Sequence, residues 1–186
     1  MAIFWVTSII IAAYFFAVFF VLRLVVPFMG FKQYLPPTDL PPEIKQVIAE
    51  LENKSHDRMS YLQAVYGLVL DKTLHQWKHT RLKAAMHFPR AWVKDLAEIW
   101  QTQDFIYCTA INYLIFVMLV NSKYFSAKGG SASGGKARDV RVRHVFVNFF
   151  IHQYLQVNIA GRWIEVDPAG TGIRGKPMGS HLVWFG

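Results

Sequence analysis

Three residues in this sequence, Cys108, His152 and Asp167, are of the types that perform nucleophilic acyl transfer, and the chain around each gives a reason for its placement. Cys108 is the only cysteine, and it begins an apolar run, Thr109 to Val120, that reads as a helix. A thiol at a helix N-terminus meets unpaired N–H groups and the positive end of the helix dipole, both of which favour thiolate. His152 opens a strictly alternating stretch that ends at Ile159, and Arg162 to Asp167 alternates again after Ala160-Gly161. That pattern is a β-hairpin with a two-residue turn. Such a turn pairs Ile159 with Arg162 and sets Tyr154 opposite Asp167. His152, Tyr154, Gln156 and Asn158 then share a face with Trp163, Glu165 and Asp167, while Leu155, Val157, Ile159, Ile164 and Val166 form the core face. His152 and Asp167 become diagonal neighbours that their side chains can bridge. The implied chemistry has Cys108 as nucleophile, His152 as base and Asp167 fixing the imidazole tautomer, with the Cys108 backbone N–H helping to hold an oxyanion.

Each residue also has an ordinary reading. Cys108 could simply pack in a core, His152 could decorate a strand, and Asp167 before Pro168 is a common way to leave one. His75 and His79 share a helix face at a spacing of four, as a zinc pair would, but no third ligand follows and no metal site is expected. No phosphate loop or dinucleotide fingerprint is present, so no cofactor is called for.

The segment from His152 to Pro168, HQYLQVNIAGRWIEVDP, resembles the His-to-Asp hairpin of the transglutaminase-like superfamily, in which a strand opened by the catalytic His turns through Gly into Trp-x-x-x-Asp-Pro. The upstream Cys of that family starts a core helix and is commonly followed by Ala, as in Cys108-Thr-Ala110 here. The likeness spans about Gln101 to Gly170 and keeps the order Cys, His, Asp, at spacings of 44 and 15 residues. It implies an α+β, papain-like domain with a helical N-terminal half and the Cys helix packed on an antiparallel sheet. It also implies Cys108, His152 and Asp167 as the triad, with Trp100, Gln101 or Gln103 completing the oxyanion hole. The family's Gly before the Cys is replaced here by Phe105-Ile-Tyr107. The expected activity is acyl transfer or hydrolysis on protein or peptide amides, as a cysteine peptidase or amidase. The alternatives are amine transfer of the crosslinking kind, or a catalytically silent membrane-associated binding module.

The elements that must position these residues divide the chain. The composition, 53% hydrophobic and 17% charged in 186 residues, excludes a disordered tail and fits one domain with an addition. The addition is N-terminal. Ala2 to Leu22 carries no charge, has only Thr7 and Ser8 outside the apolar set, and is long enough to span about 30 Å of hydrocarbon. Its start has no Lys or Arg and no small-x-small site follows, so an uncleaved anchor over residues 1–30 is expected rather than a signal peptide. Arg23 and Lys32 on its C-terminal side favour a cytoplasmic domain by the positive-inside tendency.

Residues 31–42, with two Pro-Pro pairs, read as a stiff spacer, and residues 43–186 as the domain. Within the domain, helices are expected over Glu43–Asn53, Arg58–Leu74 and Ala91–Trp100, and residues 129–135 form a Gly/Ser linker of engineered regularity. A single cysteine excludes an intramolecular disulfide. Of the net charge of +8, much lies in Lys72, Lys78, Arg81, Lys83, Arg90 and Lys94, a stretch with no acidic residue. Beside an anchor, that stretch suits anionic headgroups. Nucleic acid is not an expected partner, because no reading motif accompanies the charge.

Overall fold

A computed structural model describes residues 2–30, 34, 37, 39–77, 92–102, 108–125, 139–147, 150–168 and 172–174. The chain opens with a continuous helical rod made of α1 (Ala2–Phe16), a π-helical turn (Ala17–Val21) and α2 (Leu22–Val25). Residues Ile3–Val25 of this rod are long and apolar enough to cross a membrane. α3 (Pro42–Lys54), α4 (Arg58–Trp77), α5 (Leu96–Gln101) and α6 (Cys108–Val120) follow, then strands β1 (Val140–Val147), β2 (Phe150–Ile159), β3 (Arg162–Asp167) and the three-residue β4 (Gly172–Arg174). The architecture is α+β with an antiparallel sheet in the order β1-β2-β3-β4.

Local chemistry sets the helix boundaries. α3 begins at a proline in its first turn, where the missing N–H has no partner to lose, and buries Ile44 and Ile48. α4 starts in a reciprocal cap: Ser60 N–H donates to Asp57 Oδ1 at 2.7 Å, and Asp57 N–H donates to Ser60 Oγ at 3.0 Å. Its buried stripe is Tyr61, Leu62, Val65 and Val69. α5 starts later than the Ala91 read from sequence, because Asp95 caps it by accepting from Glu98 N–H at 2.9 Å. α6 is buried almost all round, which fits a helix held between α4 on one side and β1 and β2 on the other.

The β2–β3 hairpin has the register expected from its turn, with Ile159↔Arg162, Val157↔Ile164 and Leu155↔Val166. Ala160 and Gly161 both adopt positive φ, 52° and 80°, as a type I′ turn requires. Leu155, Val157 and Val166 are fully buried against the helical layer. The opposite face is less open than its polar residues suggest, since Tyr154, Glu165 and Asp167 are buried as well. The stretch read as a spacer also contributes to the core, through Tyr34 and Leu40. Residues 129–135 lie outside the described residues.

Leu155→Ala should lower stability by about 2–5 kcal/mol, because a fully buried side chain is removed from a close-packed site. Ala160→Asn should raise it, because Asn tolerates the left-handed backbone better. Thermal unfolding of the full chain in detergent measures both. A neutral Leu155→Ala would show that the helical layer does not close over the sheet.

Candidate functional site

His152 and Asp167 meet where the hairpin arms end. Asp167 Oδ1 lies 2.9 Å from His152 Nε2, with the aspartate fully buried and the imidazole side chain 12% exposed. A buried carboxylate needs a partner to remain charged, and the imidazole supplies one. Tyr66 of α4 donates its hydroxyl to the Asp167 carbonyl at 3.0 Å, tying the end of β3 to the helical layer. Cys108, half-buried at the start of α6, lies near enough to His152 to raise the imidazole. With Nε2 on Asp167, the ring nitrogen left for Cys108 is Nδ1. Burial alone would push the imidazole down. The hydrogen bond to Asp167 and the nearness of Cys108, with the charges of both, outweigh it and raise His152 to about 10.

α6 is fixed against β2 by polar contacts one turn into an otherwise apolar helix. Asn112 Nδ2 donates to the Gln153 carbonyl at 2.7 Å. The Gln153 side chain is itself wholly buried and fully engaged: Oε1 accepts from Tyr34 Oη at 2.6 Å, while Nε2 donates to the Phe28 carbonyl at 2.6 Å and contacts His144 Nε2 at 3.1 Å. The Tyr34 hydroxyl also lies 3.4 Å from the Thr109 carbonyl, next to Cys108. Burial and the nearby Cys108 push Tyr34 well above the ordinary phenol range against its bond to Gln153, so it stays a donor. Phe28, held at φ 63°, stacks on Tyr113 of α6 with ring centroids 4.0 Å apart. Burial, then Arg23 and His152, push His144 down to about 4, so it is neutral. Two neighbouring histidines are thereby driven in opposite directions.

The structure brings Cys108, His152 and Asp167 together. The Trp100 ring packs on the core and lies 4.4 Å from Lys72 Nζ. Gln101 is exposed, and among the described residues neither it nor Trp100 is hydrogen-bonded to Cys108 or His152. Gln103 lies outside the described residues, as do Lys78, Arg81, Lys83, Arg90 and His79, together with the side chain of His75. Lys94 is exposed. Among the described residues no group of three His, Cys, Asp or Glu side chains could hold a metal.

Tyr34, Gln153, His144 and Tyr66 are additions the sequence reading missed. One signal was present, because Gln153 has the parity of Leu155 and Val157, and a polar residue on a core face calls for buried partners. Family models, curated proteins and solved structures give no match to this chain.

The two histidines make stability fall on both sides of about pH 6.5. His152, raised in the folded state, contributes fully below its ordinary value of 6.5, and that contribution is lost as pH rises towards about 10. His144, depressed in the folded state, is charged in the unfolded chain before the folded one, so stability is lost as pH falls from 6.5 towards about 4. Thermal midpoints of the full chain across this range should form a dome. His144→Gln should flatten its acid limb and Asp167→Asn its alkaline limb. Limbs unchanged by these substitutions would contradict the assigned environments.

Proposed function

We propose that the chain is a membrane-anchored thiol enzyme of transglutaminase-like design that transfers or hydrolyses acyl groups of protein or peptide amides. The observation that carries this reading is His152 held between a fully buried Asp167 and Cys108. Three groups of these types, in this order, form a nucleophile, a proton carrier and an orienting acid.

In the proposed reaction the Cys108 proton already resides on His152, and the Sγ thiolate of this ion pair attacks the amide carbonyl carbon. The C=O π electrons move to oxygen, which the Cys108 backbone N–H helps to hold at the helix N-terminus. Collapse of this adduct breaks the C–N bond, and His152 gives its proton to the departing amine, leaving a thioester on Cys108. Water then attacks the thioester carbon as His152 takes its proton. The C–S bond breaks, the carboxylic acid departs, and the thiolate–imidazolium pair is restored. An amine in place of water would give the crosslinking outcome. The proton held by His152 through neutral pH suits the step in which it acts as acid.

The anchor reading is supported by the length of Ile3–Val25 and by what its end touches. Arg23 Nη2 donates to the Gly30 carbonyl at 3.3 Å and lies 3.5 Å from His144 Nδ1, contacts that cleavage of the helix from the domain would abolish. Arg23 and Lys32 favour a cytoplasmic domain. The basic stretch from Lys72 to Lys94 would add affinity for anionic lipid, with Lys72 partly engaged by Trp100.

The alkylation rate of Cys108, measured against pH with iodoacetamide, tests the enzyme reading directly because there is no other thiol. Rapid labelling well below the free-thiol value of about 8.5 is expected. His152→Ala should slow it by at least roughly tenfold at pH 7. Slow labelling at pH 7 that is indifferent to His152→Ala would leave only a silent binding module.

A further inference from the structure

The sheet face that carries His152 and Asp167 continues past them along the hairpin and holds two arginines. On β1, Arg141 stands opposite Gln156 and Arg143 opposite Tyr154, so both share the face of His152, and Arg143 is its diagonal neighbour. Arg141 Nε donates to Gln156 Oε1 at 2.8 Å, and Arg143 Nε donates to the same oxygen at 3.1 Å. One neutral amide oxygen therefore gathers two guanidinium groups whose charges it does not cancel. Arg141 Cζ also lies 3.8 Å from the centroid of the Trp163 ring on β3, a stacking contact that fixes the plane of that guanidinium.

The acidic groups nearby are committed elsewhere. Glu165 on β3 is 3% exposed, and its Oε1 accepts from Gln156 Nε2 at 3.1 Å, so it reaches the arginines only through that amide. Asp139, just before β1, pairs with Arg58 at 3.0 Å and accepts from Asn158 Nδ2 at 3.2 Å. Among the described residues neither Arg141 nor Arg143 forms an ion pair. Arg143 is exposed and Arg141 half-buried. Burial, then the charge of Arg143, push Arg141 below its ordinary value against the pull of Tyr154. Each arginine spends its Nε–H on Gln156, and the terminal amino groups of a guanidinium form the fork that grips a planar carboxylate. Gln156 is four residues from His152 along β2. That is about 13 Å at the rise of a strand, a span that an extended peptide covers in about four residues.

We propose that Arg141 and Arg143 form a subsite for a carboxylate of the peptide substrate, so that the enzyme selects amides with an acidic side chain about four residues away. This substrate class rests on the thiol acyl-transfer reading of Cys108, His152 and Asp167. The occupant is a peptide carboxylate because the two arginines stand in line with His152 on one face of one sheet. The opposite face is closed by the helical layer, so a substrate that extends over the strands has only this face to run along.

The test uses the full chain in neutral detergent micelles and reads covalent labelling of Cys108 by mass spectrometry. The probes are oligoglycine peptides with a single Glu, Gln or Lys walked along the chain. Their reactive group is an N-terminal chloroacetyl in one series and a C-terminal chloromethyl ketone in the other. Rates are divided by that of iodoacetamide on the same protein. In one of the two series, Glu at about the fourth position should label at least about fivefold faster than Lys there, with Gln between, and added salt should shrink the ratio. Arg141→Gln combined with Arg143→Gln should bring the ratio below about twofold, and Arg143→Glu, a reversal at an exposed position, should invert it. Wild-type rates that ignore Glu, Gln and Lys at every position, while iodoacetamide labelling still falls with His152→Ala, would overturn the subsite and leave the enzyme reading standing. A Glu preference unchanged in both arginine variants would also overturn it. Iodoacetamide labelling that is slow and indifferent to His152→Ala would remove the enzyme reading and the subsite with it. Equal peptide rates joined to weaker binding of Arg143→Gln to phosphatidylglycerol vesicles would assign the pair to anionic lipid instead.

Discussion

A charged imidazole can persist in this interior only because Asp167 lies 2.9 Å from it and is itself sealed from water. Either partner alone would be costly: an isolated buried carboxylate or imidazolium loses hydration that nothing replaces. Together they make one element that fixes the ring plane of His152, dedicates Nε2 to Asp167 and leaves Nδ1 for Cys108. The hairpin register brings these two side chains together. The Tyr66 bond to the Asp167 carbonyl then holds the hairpin end against α4. The sheet, the helical layer and the chemistry thus share one constraint.

Cys108 reaches this pair through a second constraint, which is the satisfaction of Gln153. Its side-chain oxygen and nitrogen and its backbone carbonyl are all engaged, by Tyr34, Phe28, His144 and Asn112. A buried amide with a missing partner costs about 1–3 kcal/mol, so these groups stand or fall together. Asn112 is one turn along α6 from Cys108, and Tyr34 and Phe28 belong to the segment that follows the apolar rod. The rod's end is therefore a structural part of the centre, not a tether to it. The opposed shifts of His144 and His152 follow from this arrangement: one ring faces Arg23 without a carboxylate in its hydrogen bonds, and the other faces Asp167.

Much of this was legible where contacts are local. Alternation on both sides of Ala160-Gly161 fixed the pairing of Ile159 with Arg162, and through it the approach of His152 to Asp167, because side-chain period and turn length leave one register. The charge-free run after Cys108 marked a helix buried almost all round. Legibility failed where the determinant was distant in sequence. Tyr34 sits among prolines that promised only extended chain, and its partner is Gln153. No periodicity connects residues so far apart. Gln153 was visible as a polar residue at a core position, but its partners were not. α5 was read too long because Asp95, an N-cap, lies inside the apolar pattern that suggested an earlier start.

The most direct measurement of the central claim is the titration of His152 by nitrogen and carbon NMR in the full chain, with imidazole-labelled histidine assigned by His152→Gln. The expected midpoint is near 10, far above the ordinary 6.5, with the ring still protonated at pH 8. Asp167→Asn should bring the midpoint down markedly. A wild-type midpoint near 6.5, unmoved by Asp167→Asn, would contradict the buried pair and with it the placement of Cys108 beside a proton carrier.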